Sequence, residues 1–285
     1  MSTTEMQPTF TARTFAALWN FVVEVIAGWA DRWNSEHGIC FRGADDATFN
    51  LNPSLLRHPY PSEAAALCHL ENTLWGEFRL RSMPLLGRQV HTDWEALLIM
   101  QQYGFPTRLL DWSRALAVAA YFAVRDLNVQ KDGAVWIMAP RHLMEVRGIS
   151  GSWRTIIDNE CLNSLRPRVN TVGLEEFCAQ TPVALSPDQL VSRMIAQRGI
   201  YTLHSFERFA LERLAVADRI KHENGCFLHK VIIPEAAKVG FRADIRVLAG
   251  VSEESLFPDL DGLARDIVAD HREKALQREG RPTSR

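Results

Sequence analysis

Apolar residues recur every three or four positions along several stretches of the chain, and this spacing predicts amphipathic helices. In the first stretch, residues 11–34, the apolar positions are Phe15, Leu18, Trp19, Val22, Val25, Ile26 and Trp29. The same spacing predicts a long helix at 62–81 and further helices near 208–221 and 236–248. The Ala-rich stretch at 114–126 is also predicted to be helical. Helix is therefore the dominant element.

Capping signals predict where other helices begin and end. Thr92 and Glu95 have capping-box spacing, so a helix is expected to start after Thr92 and to stop at Gly104,. Ser186 as the cap, followed by Pro187, predicts another helix start,. The acids and the proline in "FPDLDGLARDIVADH", residues 257–271, predict the start of a final helix,.

Four shorter segments have the apolar, aromatic and β-branched composition of strands. They are "GICFRGA" at 38–44, "GAVWIMAP" at 133–140, "IYTLHSF" at 200–206 and "CFLHKVIIP" at 226–234. Together with the helices they predict an α+β fold, a single helix-rich domain around a small and mostly antiparallel sheet. The expected organisation is an N-terminal helix at 1–34 packed on a domain at 35–270, with a frayed tail at 271–285. Residues 148–182 carry mixed signals.

Composition and charge narrow the function classes. Hydrophobic residues make up 47% of the chain, which is typical of a folded protein, and the net charge of −2 excludes a globally basic nucleic-acid binder,. The longest apolar stretch is interrupted at Glu24 and Asp31, and the N-terminus lacks a signal-peptide pattern,. The five scattered cysteines indicate a reducing compartment,. We expect a cytoplasmic protein that does not contact membranes.

A metal site is not expected either. His222, Cys226 and His229 lie close together in the sequence, but no second ligand pair accompanies them,. The motifs of P-loop, zinc-protease, serine-hydrolase and dinucleotide-binding sites are also absent from the sequence,. What remains is three polar clusters embedded in apolar sequence.

The first cluster is "CFRGADDATFNLNPSLLR", in which Arg42 lies inside a predicted strand. A partly buried guanidinium needs either a fixed carboxylate or a bound anion, because burying it unpaired is costly. Asp45, Asp46 or another acid is a candidate partner, so a structural ion pair and an anion site are both open. Gly43 permits the close approach of a backbone or a ligand.

The second cluster, "MQQYGFPTRLLDWSRALAVAAYFAVRD", leads into the Ala-rich helix. Asp111 or Ser113 can cap this helix, whose first N–H groups can bind an anion that Arg108 would clamp. Trp112 and Tyr103 offer flat faces on which a nicotinamide or adenine ring can stack. The alternative interpretation is an internal Arg108–Asp111 pair that fixes a loop, with Trp112 in the core.

The third cluster, "SRMIAQRGIYTLHSF", places Gln197 at the end of a predicted helix. Gly199 follows it, and the next strand carries Tyr201. A functional site and a simple helix terminus with Gly199 as the left-handed residue are both compatible with this pattern.

These clusters, in this order, resemble the FRG domain. The resemblance rests on "FRG" at 41–43, "LNPSLLR", the second cluster, "AQRGIYTLH" and "SLFPDLDGLA", and it extends over residues 33–267. The family is known mainly from bacteria and phages. The resemblance therefore implies a bacterial protein with a role in phage defence or in a toxin system.

A more distant similarity to ADP-ribosyltransferases implies a chemistry. Many of these enzymes have an aromatic-Arg-Gly strand, then a Ser/Thr-rich strand leading into an Ala-containing helix, and later a strand with a catalytic Glu. Arg42 matches the first element, and residues 107–113 with the following helix match the second. The similarity implies NAD as the substrate, with the implied binding residues being Arg42, Gly43, Gln101, Tyr103, Thr107, Arg108, Trp112 and Ser113.

The late glutamate is where this sequence departs from such enzymes, because the matching position is Gln197. Gln can hydrogen-bond a ribose hydroxyl but carries no charge, so Asp111 or Glu95 would have to supply the carboxylate. We therefore expect Arg42, Asp111 and Gln197 to be the catalytic residues of an NAD-dependent ADP-ribosyltransferase-like enzyme or an NAD glycohydrolase, whose acceptor is a protein or a nucleic acid.

Two alternatives remain open. One is a non-enzymatic module that senses a nucleotide or binds nucleic acid, in which the basic patch would comprise Arg141, Arg147, Arg154, Arg166 and Arg168,. The other is a structural domain with a buried ionic core, for which loss of Arg42 would cost several kcal/mol.

Overall fold

The computed structural model of the protein describes residues 10–30, 38–57, 59–127, 130–148, 182–187, 190–206, 211–221 and 226–279. Helices and strands are mixed, and the predicted α+β class is confirmed. The segment with mixed signals, 148–182, lies almost entirely outside the described residues. Within the described ranges, no helix combines the length and the apolar character needed to cross a bilayer.

Seven strands of the described chain form one sheet in the order β1-β7-β4-β2-β3-β6-β5. Their bounds are β1 Phe10–Thr11, β2 Cys40–Ala44, β3 Leu109–Ser113, β4 Gly133–Met138, β5 Val183–Leu185, β6 Gly199–Leu203 and β7 Leu228–Ile233. Only the β1–β7 pair of this sheet is parallel. The prediction of a mostly antiparallel sheet is confirmed. The strand β3, which is not among the four strands predicted from composition, lies near the middle of the sheet.

The helices pack against this sheet and against one another. Their bounds are α1 Phe15–Ala30, α2 Ala64–Leu86, α3 Asp93–Gln102, α4 Leu116–Val124, α5 Pro140–Val146, α6 Ser192–Ala196, α7 Leu211–Lys221, α8 Lys238–Ala249, α9 Glu253–Leu256 and α10 Leu260–Glu279. The buried side of α1, including Phe15, Leu18 and Val22, belongs to the main hydrophobic core. The N-terminal helix is therefore packed on the rest of the molecule.

Several predicted helix ends are confirmed by their hydrogen bonds. The Thr92 hydroxyl accepts a hydrogen bond from the Glu95 backbone N–H at 3.1 Å, and Gly104 has a left-handed φ of 80°. At the start of α10, the Asp259 carboxylate accepts from the Gly262 N–H at 2.8 Å. These contacts satisfy backbone groups that a helix terminus leaves without partners.

Two predicted boundaries were wrong. The helix α2 continues beyond Arg81 to Leu86, and the sequence pattern missed this last part because its apolar side chains are exposed and break the periodicity. The helix expected to start at Ser186 instead starts at Ser192, and the Ser186 hydroxyl accepts from Arg114 Nη2 at 2.5 Å. The helix α10 extends into the stretch 271–285, predicted to be a frayed tail, as far as Glu279.

The Ala-rich helix α4 lies directly on β2, where Gly43 has no room for a side chain. A Cβ atom added at Gly43 would lie 1.8 Å from the Ala119 carbonyl oxygen and 2.6 Å from the Ala123 nitrogen. Both of these atoms belong to the helix backbone, so they cannot rotate away. Gly43 therefore allows the helix backbone to approach the strand, and the small side chains of α4 are explained by the same close packing.

We expect Gly43→Ala to lower the free energy of unfolding by about 3 kcal/mol, because the added methyl group must displace the α4 backbone. Urea unfolding followed by circular dichroism measures this loss. Gly76→Ala is the matched control, since Gly76 lies inside α2 with nothing within 4 Å of its added Cβ. This control is expected to change stability by no more than about 1 kcal/mol, toward higher stability. Equal effects of the two substitutions would contradict the packing argument.

Candidate functional site

The three polar clusters of the sequence meet at one cleft of about 240 Å³. Its walls are β2, β3 and α4, together with the end of α3, the end of α6 and Phe257. The predicted site residues that line it are Arg42, Gly43, Gln101, Asp111, Trp112, Ser113 and Gln197. Side chains from early, middle and late parts of the chain therefore share one concavity.

Arg42 and Asp111 lie side by side in this cleft. Arg42 Nη1 donates a hydrogen bond to the main-chain oxygen of Asp111 at 2.6 Å and is 4.0 Å from the Asp111 carboxylate. The Arg42 side chain is 21% exposed, and burial lowers the pKa of its guanidinium, an effect that Asp111 opposes. Asp45 and Asp46 were candidate partners for Arg42. Asp46 instead pairs with Lys131 and accepts from the Thr48 N–H at 2.9 Å.

The Asp111 carboxylate lies at the floor of the cleft. Its side chain is 48% exposed, yet the surrounding protein desolvates it and raises the pKa of Asp111 above the ordinary value. Arg42 and a hydrogen bond from Gln101 oppose this rise. A carboxylate with a raised pKa is a better proton acceptor than an ordinary aspartate and is typical of catalytic sites.

A short chain of hydrogen bonds orients this carboxylate. Gln101 Nε2 donates to Asp111 Oδ2 at 2.7 Å, and the Thr107 hydroxyl bonds Gln101 Oε1. The same hydroxyl accepts from the Leu109 N–H at 3.2 Å, so it is left to donate to the Gln101 oxygen. This fixes the amide with its N–H groups toward Asp111. Thr107 is fully buried, and it acts through Gln101 without lining the cleft.

Gln197 also lines the cleft and is held by two hydrogen bonds. Its side chain donates to the Leu256 carbonyl at 3.3 Å, and its own carbonyl accepts from the Ser113 hydroxyl at 2.7 Å. The next residue, Arg198, has a φ of 47°, a left-handed conformation that is uncommon outside glycine,. The prediction that Gly199 is the left-handed residue was wrong, because Gly199 is already the first residue of β6. The strained turn fixes the position of Gln197.

Arg108 lies outside the cleft. Its side chain is fully buried, its Nε donates to Glu71 Oε2 at 2.6 Å, and its guanidinium lies 4.3 Å from the centre of the Phe206 ring. The predicted phosphate clamp does not fit this position. The internal ion pair that was the alternative does exist, but its carboxylate is Glu71 of α2 and not Asp111.

Two further predictions about the second cluster need correction. The Trp112 side chain borders the cleft but is 3% exposed, and its indole N–H donates to Thr202 Oγ1 at 3.1 Å in the core. It therefore offers no open face for stacking. Ala115 occupies the cap position of α4, so neither Asp111 nor Ser113 caps this helix. The Ser113 hydroxyl instead accepts from the Ala115 N–H at 3.0 Å. Tyr103 is 57% exposed and lies at a neighbouring groove.

Comparison with known families gives a match over part of the chain. Residues 37–132, about a third of the chain, match the family model of the FRG domain. No curated protein and no solved structure matches the chain. The matched stretch covers β2, α2, α3, β3 and α4, and it carries Arg42, Gln101 and Asp111 of the cleft. Gln197 lies beyond the match, although the resemblance drawn from the sequence had extended to residue 267.

The cleft also contains residues that sequence reasoning missed. Gln102, within the stretch matched to the FRG domain, donates to the Tyr201 hydroxyl at 2.8 Å. Beyond that stretch, Arg193 lines the cleft, with its guanidinium paired with Asp259 at 2.5 Å and located 5.5 Å from the centre of the Phe257 ring. Arg193 lies in the "SRMIAQRG" segment and Phe257 in the "SLFPDLDGLA" segment, so the sequence signal was present but pointed to helix ends.

Other candidates from the sequence lie elsewhere. Glu95 pairs with Arg88 and accepts from the His91 N–H at 2.7 Å, away from the cleft lining. Arg141 pairs with Glu145 at 3.1 Å, while Arg154, Arg166 and Arg168 lie outside the described residues. Within the described ranges, no group of three His, Cys, Asp or Glu side chains is arranged to hold a metal ion. Asp111 is the carboxylate that the described cleft offers for chemistry.

Proposed function

We propose that the cleft binds NAD and cleaves the bond between nicotinamide and ribose, as an ADP-ribosyltransferase-like enzyme or an NAD glycohydrolase. The observation that carries this proposal is the shared position of Arg42, Asp111 and Gln197 in one cleft. These groups supply a cation, a carboxylate and an uncharged amide. In the family context that the sequence implies, the protein is a bacterial effector in phage defence or in a toxin system.

The reaction breaks the bond between ribose C1′ and the nicotinamide nitrogen, and the bonding electron pair leaves with nicotinamide. The ribose then has oxocarbenium character, and the nearby Asp111 carboxylate stabilises its positive charge. In hydrolysis, water forms the new bond to C1′ and gives up a proton, which Asp111 accepts. In transfer, a nucleophile of the acceptor takes the place of water.

Arg42 is suited to hold the phosphates of the substrate. Among the described residues, its guanidinium makes one hydrogen bond, from Nη1 to the Asp111 carbonyl. An arginine has five N–H donors, so the remaining ones can bind phosphate oxygens. The charge of Arg57 also acts on both Arg42 and Asp111, which brings a second cation near the cleft. The amides of Gln101 and Gln197 are positioned to hydrogen-bond ribose hydroxyls.

Incubation of the purified protein with NAD tests the proposal, with release of nicotinamide as the readout. A parallel reaction with cell extract and labelled NAD tests transfer to a protein or nucleic acid. Arg42→Ala is expected to abolish release, whereas Arg141→Ala, which alters an exposed ion pair outside the cleft, is expected to leave it unchanged. Absence of release and of labelling in both reactions would contradict the proposal.

The second candidate is a nucleotide-binding module that does not turn its ligand over. The presence of Gln197, where an ADP-ribosyltransferase would have a glutamate, favours this candidate. Its amide is already bonded to the Leu256 carbonyl, and it cannot accept a proton. Saturable binding of NAD without release of nicotinamide would support the module in place of the enzyme.

A further inference from the structure

A second cavity lies directly behind the turn that ends α3. It is an apolar groove of about 380 Å³ between the C-terminal half of α2 and this turn, and we call it the α2 groove. Its apolar lining residues are Phe78, Leu85, Leu86, Tyr103 and Phe105. Its volume lies within the range of about 300–1,000 Å³ that is typical of small-molecule pockets, whereas that of the cleft does not.

The α2 groove and the cleft are on two sides of one short turn. Gln101 and Gln102 line the cleft, while Tyr103 and Phe105 line the groove. Consecutive Cα atoms are about 3.8 Å apart, so the linings of the two cavities adjoin at Gln102 and Tyr103,. Arg193, which lines the cleft, has its guanidinium 5.7 Å from the centre of the Tyr103 ring. Tyr103 therefore stands between the two cavities.

The turn is closed by hydrogen bonds. The Phe105 N–H donates to the Met100 carbonyl at 3.0 Å, and Gly104 takes a left-handed φ of 80°, which together close the end of α3,. Phe105 packs edge-to-face against Phe78, with ring centres 5.5 Å apart. These contacts position Phe105 and Phe78 in the lining of the α2 groove, whereas Tyr103 is 57% exposed.

The chemistry of the groove fits a flat heteroaromatic ring. Tyr103 and Phe105 offer aromatic surface for stacking, and at the margin Glu77 and Arg81 offer an acceptor and donors for ring substituents,. The cleft measures about 240 Å³, and the groove adds a second concavity of about 380 Å³ with an apolar lining beside it. We infer that the α2 groove binds the adenine ring of the substrate, while the cleft binds its nicotinamide-ribose half. This inference rests on the proposed function.

The test compares NAD with nicotinamide mononucleotide, which has the same reactive bond but no adenosine. Tyr103→Ala is expected to raise the KM for NAD about tenfold, as the loss of one aromatic–base stack does, and to leave the KM for the mononucleotide unchanged. Leu85→Asp, which places a charge on an exposed lining residue, is likewise expected to raise the KM for NAD and to leave the KM for the mononucleotide unchanged. Trp19→Ala is the control, because Trp19 is similarly exposed at 55% but lies on α1.

The outcomes separate this inference from the proposed function. Equal changes for the two substrates, or no change for either, would overturn the groove assignment while leaving the enzyme intact. Binding of AMP, measured by calorimetry, tests the groove without any turnover. Binding that is lost in Tyr103→Ala supports the assignment, and wild-type protein that fails to bind AMP at millimolar concentration overturns it.

Discussion

Asp111→Asn is expected to lower the rate of nicotinamide release from NAD by about 100- to 10,000-fold, the range found when a catalytic acid or base is removed. The substitution keeps the shape of the side chain, and the asparagine oxygen can still accept the hydrogen bond from Gln101. It removes the negative charge that faces the developing oxocarbenium and the group that accepts a proton. The fold is therefore expected to survive while the chemistry fails.

The effect of pH on the wild-type activity gives a second expected result for Asp111. Burial raises the pKa of Asp111, so wild-type activity is expected to fall as the pH drops through that raised value and the carboxylate becomes protonated. The raised pKa also means that the folded state disfavours the charged form. The resulting loss of stability is absent at pH values below the pKa of Asp111 in the unfolded state, and it is complete above the pKa of Asp111 in the folded state. At neutral pH, Asp111→Asn is therefore expected to be at least as stable as the wild type.

Asp93→Asn serves as the matched control for these measurements. Asp93 lies at the start of α3, outside the cleft lining, 3.9 Å from the Arg79 guanidinium. It is expected to change neither the rate of nicotinamide release nor its pH profile. A rate for Asp111→Asn within twofold of the wild type would show that Asp111 has no chemical role.

Glu71→Ala is expected to lower the free energy of unfolding by about 3–5 kcal/mol, the cost of leaving a buried charge without its partner. Arg108 is fully buried, and Glu71 accepts both from its Nε at 2.6 Å and from its backbone N–H at 3.1 Å. Removing the carboxylate leaves a guanidinium that water cannot reach. Urea unfolding at neutral pH measures the loss.

Glu77→Ala on the same helix is the control for this loss of stability. Glu77 pairs with Arg81 at 3.5 Å, but both side chains are well exposed. Exposed pairs contribute only about 0–1 kcal/mol, so this change is expected to be nearly neutral. A loss below about 1 kcal/mol for Glu71→Ala would contradict the view that this pair anchors α2 to the sheet.

The sequence predicted correctly the helices and strands whose signals lie in the spacing of nearby residues. The apolar periodicity predicted α1, and the Thr92 cap predicted α3, because these signals depend on neighbours three or four positions away. The β-rich segments predicted β2, β4, β6 and β7 for the same reason. The sheet order could not be predicted, because it depends on which distant strands pair.

Arg42 and Arg108 show that the sequence alone could not separate a cleft residue from a buried structural one. Arg42 and Arg108 both lie beside apolar residues, so their sequence surroundings suggested the same role for each. Arg42 faces the cleft, and Arg108 meets a glutamate of α2 that is 37 positions away. Both arginines therefore lie near a carboxylate, Asp111 in the cleft for Arg42 and the buried Glu71 for Arg108. Their different roles depend on contacts with residues that are distant in the sequence, which local patterns do not report.

A crystal structure of Asp111→Asn grown with NAD shows whether the cleft holds the substrate. The variant is expected to bind the substrate without consuming it. We predict the nicotinamide ribose between Arg42, the substituted residue 111 and Gln197, with a phosphate on the Arg42 guanidinium. NAD bound at another surface, or a cleft that stays empty at saturating NAD, would contradict the proposed function.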